Sequence, residues 1–239
     1  MKFSTLAVAL FASTTLVSVS SKKFKGEQLK AKFDFDDLQA TVIVRQTKGQ
    51  KEGNAATWKV KINEFERALC PSGPDEQGKL NWHVHQYPVL EPEDGIRAVG
   101  TLLNTSAPAC GPDVTGGHYD PTFACGGASQ NNANGVCAFL RAQPQSFPTG
   151  SGLTGNVTAA NSYDACKPDN QSSCEIGDQS GKMGKLKAKR KRVQQFKDEW
   201  MTPIIPSLTG KSVVLHCCYA KFDGSGTSCG PRLACANLE

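Results

Sequence analysis

Apolar and polar side chains alternate with a period of two in several short stretches of this chain. Leu29–Phe35, Ala40–Gln46, Thr57–Asn63 and Asn81–Tyr87 all show it. Their apolar positions are rich in β-branched and aromatic residues, which marks half-buried antiparallel strands. Ser212–Cys217 repeats the pattern late in the chain. Lys48–Asn54, polar and glycine-containing, predicts a hairpin between two early strands, and Cys70–Gly78 a second turn-rich connection. The predicted fold class is all-β, an antiparallel Greek-key sandwich or barrel.

Two regions depart from this pattern. Ser106–Cys174 is rich in Gly, Pro, Asn, Ser and Cys and has little periodicity. A connection this long inside one domain is uncommon and often functional. Cys110, Cys125, Cys137, Cys166 and Cys174 are placed to staple it. Residues 182–197 hold a basic run, Lys185-Leu-Lys-Ala-Lys-Arg-Lys-Arg. It reads as a solvated strand or loop face, as a patch for anions, cell-surface polymers or nucleic acid, or as a processing site. No aromatic residues interleave to stack on bases, so no nucleic-acid partner is expected.

Residues 1–20 read as a signal peptide: Lys2, the apolar run Leu6–Val17, then Ser18-Val19-Ser20. The run is short for a membrane span, and no later segment is apolar enough for one. Residues 21–239 then form one exported domain with a loop insertion at about 119–174. Ten cysteines in such a chain predict disulfides. None shows the C-x-x-C spacing of a structural zinc module. Asn104, Asn156 and Asn170 lie in glycosylation tripeptides. The formal net charge is +5, and loss of Lys2 with the leader lowers it by one, a mild bias towards anions.

The chain has only four histidines. His83 and His85 are two apart on a predicted strand, so both rings point to one face. His118 follows Gly116-Gly117, whose freedom lets a loop bring a ring close. His216 lies on the late strand Val213-Val-Leu-His. Any one of them alone reads as an ordinary buried histidine; together they are a candidate metal site, and an all-imidazole set suits copper.

Four motifs then carry a resemblance. Trp82-His-Val-His-Gln-Tyr resembles the first copper motif of copper/zinc superoxide dismutases, and Gly117-His-Tyr-Asp-Pro the segment with their bridging histidine. Val213-Val-Leu-His resembles the strand with their last copper histidine, and Pro231-Arg-Leu-Ala-Cys-Ala-Asn their C-terminal motif. The motifs occur in the family's order across roughly Leu29–Leu238. The resemblance implies copper held by His83, His85, His118 and His216, a steering role for Arg232 and a disulfide between Cys110 and Cys235.

The departures point to one branch. No histidine is left for a zinc site. In Cys174-Glu-Ile-Gly-Asp, Glu175 stands where the family has its last zinc histidine, while Asp178 matches the zinc aspartate. The segment between His216 and Arg232 is also short. The chain is similar to the copper-only, secreted branch of the superfamily. That implies one copper and no zinc, a monomer, and superoxide converted to dioxygen and hydrogen peroxide. In that picture His118 passes a proton to the product and Glu175 holds its ring. The remaining cysteines stay open: Cys125 with Cys137 and Cys166 with Cys174 by short loop closure, and one of Cys217 and Cys218 with Cys229 or Cys70. A copper buffer on the same fold, or an adhesin using the basic run, is the competing reading. Arg232, which storage does not need, favours the enzyme.

Overall fold

The alternating segments pair into two antiparallel sheets in the computed structural model, which describes residues 28–46, 55–70, 78–89, 96–97, 110–142, 166–200, 205–220 and 227–239. The expected leader, the 48–54 hairpin, Asn104 and Asn156 lie outside the described residues. The strands are β1 (Gln28–Phe35), β2 (Leu38–Gln46), β3 (Ala56–Phe65), β4 (Lys79–His85), β5 (Ile96–Arg97), β6 (Leu186–Lys187), β7 (Arg192–Asp198), β8 (Ser212–Cys217), β9 (Tyr219–Ala220), β10 (Thr227–Ser228) and β11 (Arg232–Asn237). Short helices α1 (Pro112–Thr115), α2 (Val136–Ala142) and α3 (Gln179–Met183) lie in the loops.

One sheet has the order β1-β2-β3-β7 and the other β5-β11-β8-β4-β6, with a small β9–β10 hairpin. Strand β7 joins β3 across a long stretch of sequence, and β4 pairs with β8, the crossovers of a Greek key. Every second side chain turns inward. Leu29, Ala31 and Phe33 of β1, Val42 and Val44 of β2, and Trp58, Val60 and Ile62 of β3 meet Leu80, Trp82 and Val84 of β4. Trp58 and Trp82 pack edge to face, with ring centroids 5.5 Å apart. Full burial of such side chains contributes roughly 1.5–3 kcal/mol each. The two sheets are stitched along one seam, where the Lys30 amide donates to the Glu239 carbonyl (2.7 Å) and the Glu239 amide donates back (3.1 Å).

A buried ion pair ties α3 to β7: Lys182 Nζ lies 2.6 Å from Asp198 Oδ2, and both side chains are fully buried. The Trp58 indole also donates to that carboxylate oxygen (3.3 Å). This bond network fixes the helix that follows Glu175 and Asp178 against the core.

All ten cysteines are paired, as Cys70–Cys217, Cys110–Cys235, Cys125–Cys137, Cys166–Cys174 and Cys218–Cys229. Cys217 and Cys218, neighbours in sequence, take separate partners because their side chains leave the strand on opposite faces. Among the described residues, no helix is long and apolar enough to cross a membrane.

Candidate metal centre

Strand β4 sends Leu80, Trp82 and Val84 into the sandwich, so His83 and His85 project from its outer face. Its neighbour β8 places His216 beside them, with Asn81 as its register partner. Beyond Leu80, the far edge of β4 has no strand partner among the described residues, and its backbone groups must be satisfied some other way. Two loops do this. The Val84 amide donates to the Gly177 carbonyl (2.8 Å) and to Gln179 Oε1 (3.0 Å), and the Trp82 amide donates to Ser180 Oγ (2.7 Å). The Tyr119 amide donates to the Val84 carbonyl (2.9 Å), and the Gln86 amide to the Gly117 carbonyl (3.0 Å). The predicted strand therefore ends at His85, and the chain beyond it pairs with the 115–119 loop. This edge pairing brings Glu175 and His118 to the two β4 histidines.

Two glycines make the approach possible. A Cβ on Gly117 would lie 2.6 Å from the Ala128 carbonyl oxygen and 2.8 Å from the Gln130 amide. One on Gly177 would collide with the Val84 carbonyl oxygen. Only a residue without a side chain lets these backbones cross.

The four predicted histidines converge. Ring centroids are 4.0 Å apart for His83 and His118, 4.8 Å for His83 and His216, 5.2 Å for His85 and His118, and 5.8 Å for His85 and His216. One nitrogen on each ring is held from behind. His85 Nδ1 donates to the Gly116 carbonyl and His216 Nδ1 to the Gly230 carbonyl, both at 2.9 Å. His118 Nδ1 lies 2.5 Å from Glu175 Oε2, and His83 Nε2 lies 3.4 Å from Asp178 Oδ1. The opposite nitrogens, His83 Nδ1, His85 Nε2 and His216 Nε2, are buried and have no hydrogen-bond partner. A buried polar atom without a partner is costly. Ligand atoms of these three residues lie within 4.8 Å of one another, the reach of a single ion. The set therefore fits a metal that accepts nitrogen donors, with His118 Nε2 as the ring atom left over on the fourth histidine.

The electrostatics agree. Burial, together with repulsion from His118, holds His83 near a pKa of about 4. Burial likewise pushes His85 and His216 well below the ordinary histidine value. These rings stay neutral, the form in which imidazole binds metals. His118 is the exception: burial opposes its charge, but the hydrogen bond and charge of Glu175, helped by Asp178, raise its pKa. Burial raises the Glu175 carboxyl in turn, against the pull of His118. The two groups are coupled by their hydrogen bond beside the neutral rings.

Arg232 is half-buried and lies across from His216 in the β8–β11 register. Its Nη1 donates to the Cys110 carbonyl and to Thr115 Oγ1, both at 2.5 Å, and Nη2 to the Gly116 carbonyl at 3.0 Å. The Cys110–Cys235 disulfide anchors the first of these acceptors to β11. Gly116 thus orients both Arg232 and His85 through one carbonyl oxygen. Burial lowers the guanidinium to about 10, which leaves it charged at neutral pH.

The sequence reading did not single out Gln179, Ser180, Thr115, or the carbonyls of Gly116 and Gly230. Backbone acceptors leave no signature in the sequence. A separate group, Asp120 with Cys125 and Cys137, is no metal site because the two cysteines are bonded to each other. Asp120 instead accepts hydrogen bonds from the Ala124 and Cys125 amides and from Ser129 Oγ, and so shapes the loop behind His118.

The chain is similar in structure to known superoxide dismutases. Candida albicans superoxide dismutase 5 in its Cu(II) form is 17% identical over 89% of this chain and 91% of that one, with a TM-score of 0.41. A point mutant of the same Candida protein gives 16% identity, 90% of each chain and a TM-score of 0.42. The clock protein EA4 is 13% identical over 90% of this chain and 95% of that one, with a TM-score of 0.41. No protein-family model and no curated protein matches this chain. The chemistry of the site stands on its own side chains.

Proposed function

We propose that this protein is a secreted, copper-dependent superoxide dismutase without zinc. The observation that carries the reading is the convergence of three partnerless buried nitrogens, His83 Nδ1, His85 Nε2 and His216 Nε2, beside a fourth ring backed by Glu175. His83, His85 and His216 would hold copper, with His118 completing the set. Bound copper supplies the one-electron redox change by which one superoxide is oxidised to dioxygen and a second is reduced to hydrogen peroxide.

The chain's own groups do the rest. Arg232, fixed by three hydrogen bonds, keeps N–H groups free for an anion and attracts superoxide with its charge. The raised His118 pKa suits that ring to hold a proton for the product, and Glu175 keeps Nδ1 engaged so that Nε2 faces the other rings. No histidine remains to build a zinc site, and Glu175 takes the orienting place that zinc would have. The five disulfides suit an oxidising compartment outside the cell.

The test is metal analysis and superoxide consumption of copper-loaded protein, with and without Arg232→Ala. The expected result is one copper and no zinc per chain, with consumption reduced by on the order of ten-fold at low ionic strength in the variant. Copper binding with no turnover, or turnover indifferent to Arg232, would identify a copper buffer instead.

A further inference from the structure

The outer face of the β1-β2-β3-β7 sheet is cationic. Outward positions hold Lys30 and Lys32 on β1, Arg45 on β2, Lys59 and Lys61 on β3, and Lys197 on β7. The register aligns them into rows: Lys30, Ile43 and Lys59 stand side by side, as do Lys32, Thr41 and Lys61, and Arg45, Thr57 and Lys197. At one end of the face the all-basic turn 189–192 adjoins it, with Arg190 Nε 2.8 Å from Glu64 Oε2. Among the described residues the facing carboxylates lie at the margins, where Asp34 pairs with Lys32 (2.6 Å), Glu64 with Arg190 and Glu199 with Lys197 (2.7 Å), and none of them pairs with Lys59 or Lys61 at the centre.

We propose that this face is a docking surface for a linear anionic polysaccharide. The face is flat and extended, with cations about 7 Å apart along a strand and about 10 Å apart across alternate strands. That dilute lattice suits a polymer that carries isolated charges at sugar-length intervals. Nucleic acid fits poorly, because its charge is much denser and no aromatic side chain among the described residues projects from this face to stack on bases. A lipid surface fits poorly as well. The cations here are mainly lysines, compact point charges, and among the described residues Val193 is the only large hydrophobic side chain on the face that is clearly exposed, too little to insert.

The location matters as much as the charge. The inner faces of the two sheets meet through Trp58 and Trp82, so their outer faces point in opposite directions. The histidines project from the outer face of the other sheet. A polymer bound to the lysines therefore does not cover the histidine cluster. This inference does not depend on the dismutase reading.

The test uses the full chain and polygalacturonate as the probe, with binding measured as a function of salt. Lys59→Gln/Lys61→Gln is compared with Lys167→Gln/Lys211→Gln, which removes the same charge from positions outside this sheet. The native chain should bind at physiological ionic strength. The β3 variant should lower the slope of log affinity against log salt by about two, one per lost contact, as for other polyelectrolytes. The control pair should leave the slope unchanged. Equal losses in both variants, no binding by the native chain, or equal or tighter binding to single-stranded DNA or to phosphatidylserine vesicles would overturn the proposal.

Discussion

At the scale of single residues, the centre is built from nitrogens whose two sides have different tasks. One side of each ring is tethered to a carbonyl or a carboxylate, and on His83, His85 and His216 the other is buried without a partner. Glu175 is the tether with the largest consequence. Glu175→Ala should keep the fold but lower copper affinity or superoxide consumption by roughly 10- to 100-fold, the usual cost of losing the group that orients a ligand. Wild-type turnover in that variant would show that the ring needs no anchor. The neutral histidines also predict how the metal-free protein responds to acid. The unfolded rings titrate near 6.5, and the folded His83 titrates near 4 with His85 and His216 also depressed, so the unfolded chain binds more protons in between. Stability should fall as pH drops from about 6.5 towards 4. The raised His118 and Glu175 oppose this, but as a single coupled pair against three rings. The thermal midpoint of metal-free protein at pH 5 is therefore expected below that at pH 7.5; a higher midpoint at pH 5 would contradict the assignment.

At the scale of elements, the strongest local device is the pairing of Lys182 on α3 with Asp198 on β7. Asp198→Asn would leave a buried lysine without its counter-charge and should cost about 3–5 kcal/mol, measurable by chemical denaturation. The elements also differ in how well the sequence announces them. β1, β2, β3 and β4 are legible because their inward residues are apolar, so the period of two is clean, and β8 because its apolar run is short and β-branched. β7 is hidden within the basic run. Its inward positions include Phe196 but also Gln194 and the ion-paired Asp198, while apolar Val193 faces out. The histidines, Glu175 and Arg232 are legible as residue types in a recurring order. Their tethers are not, because a carbonyl of Gly116 or Gly230 can be found only once the backbone path is known. The same holds for Gln179 and Ser180, whose side chains cover an edge of β4 that no sequence pattern reveals.

At the scale of the whole molecule, the core and the cross-links are independent of the metal. The sandwich is closed by its own tryptophans and aliphatic residues, and the five disulfides constrain the unfolded chain. Removing copper with a chelator should therefore lower the thermal midpoint and leave the far-ultraviolet dichroism of the strands intact. Ligand linkage sets the scale, about 4 kcal/mol when free metal exceeds its dissociation constant a thousand-fold. Loss of the β signal on chelation would mean that the metal organises the fold and not only the site.

The adjacent thiols of Cys217 and Cys218 impose a sorting problem on the nascent chain. Cys218 closes with a partner 11 residues away, Cys217 with one 147 residues away. The entropic difference favours the short closure by about 2 kcal/mol. Oxidation of the nearer pair first would remove Cys229 as a competitor and leave Cys70 to find the correct sulfur. Production in a reducing cytosol, followed by abrupt air oxidation, risks scrambling at this doublet, and a thiol-exchange catalyst should raise the yield of correctly cross-linked protein.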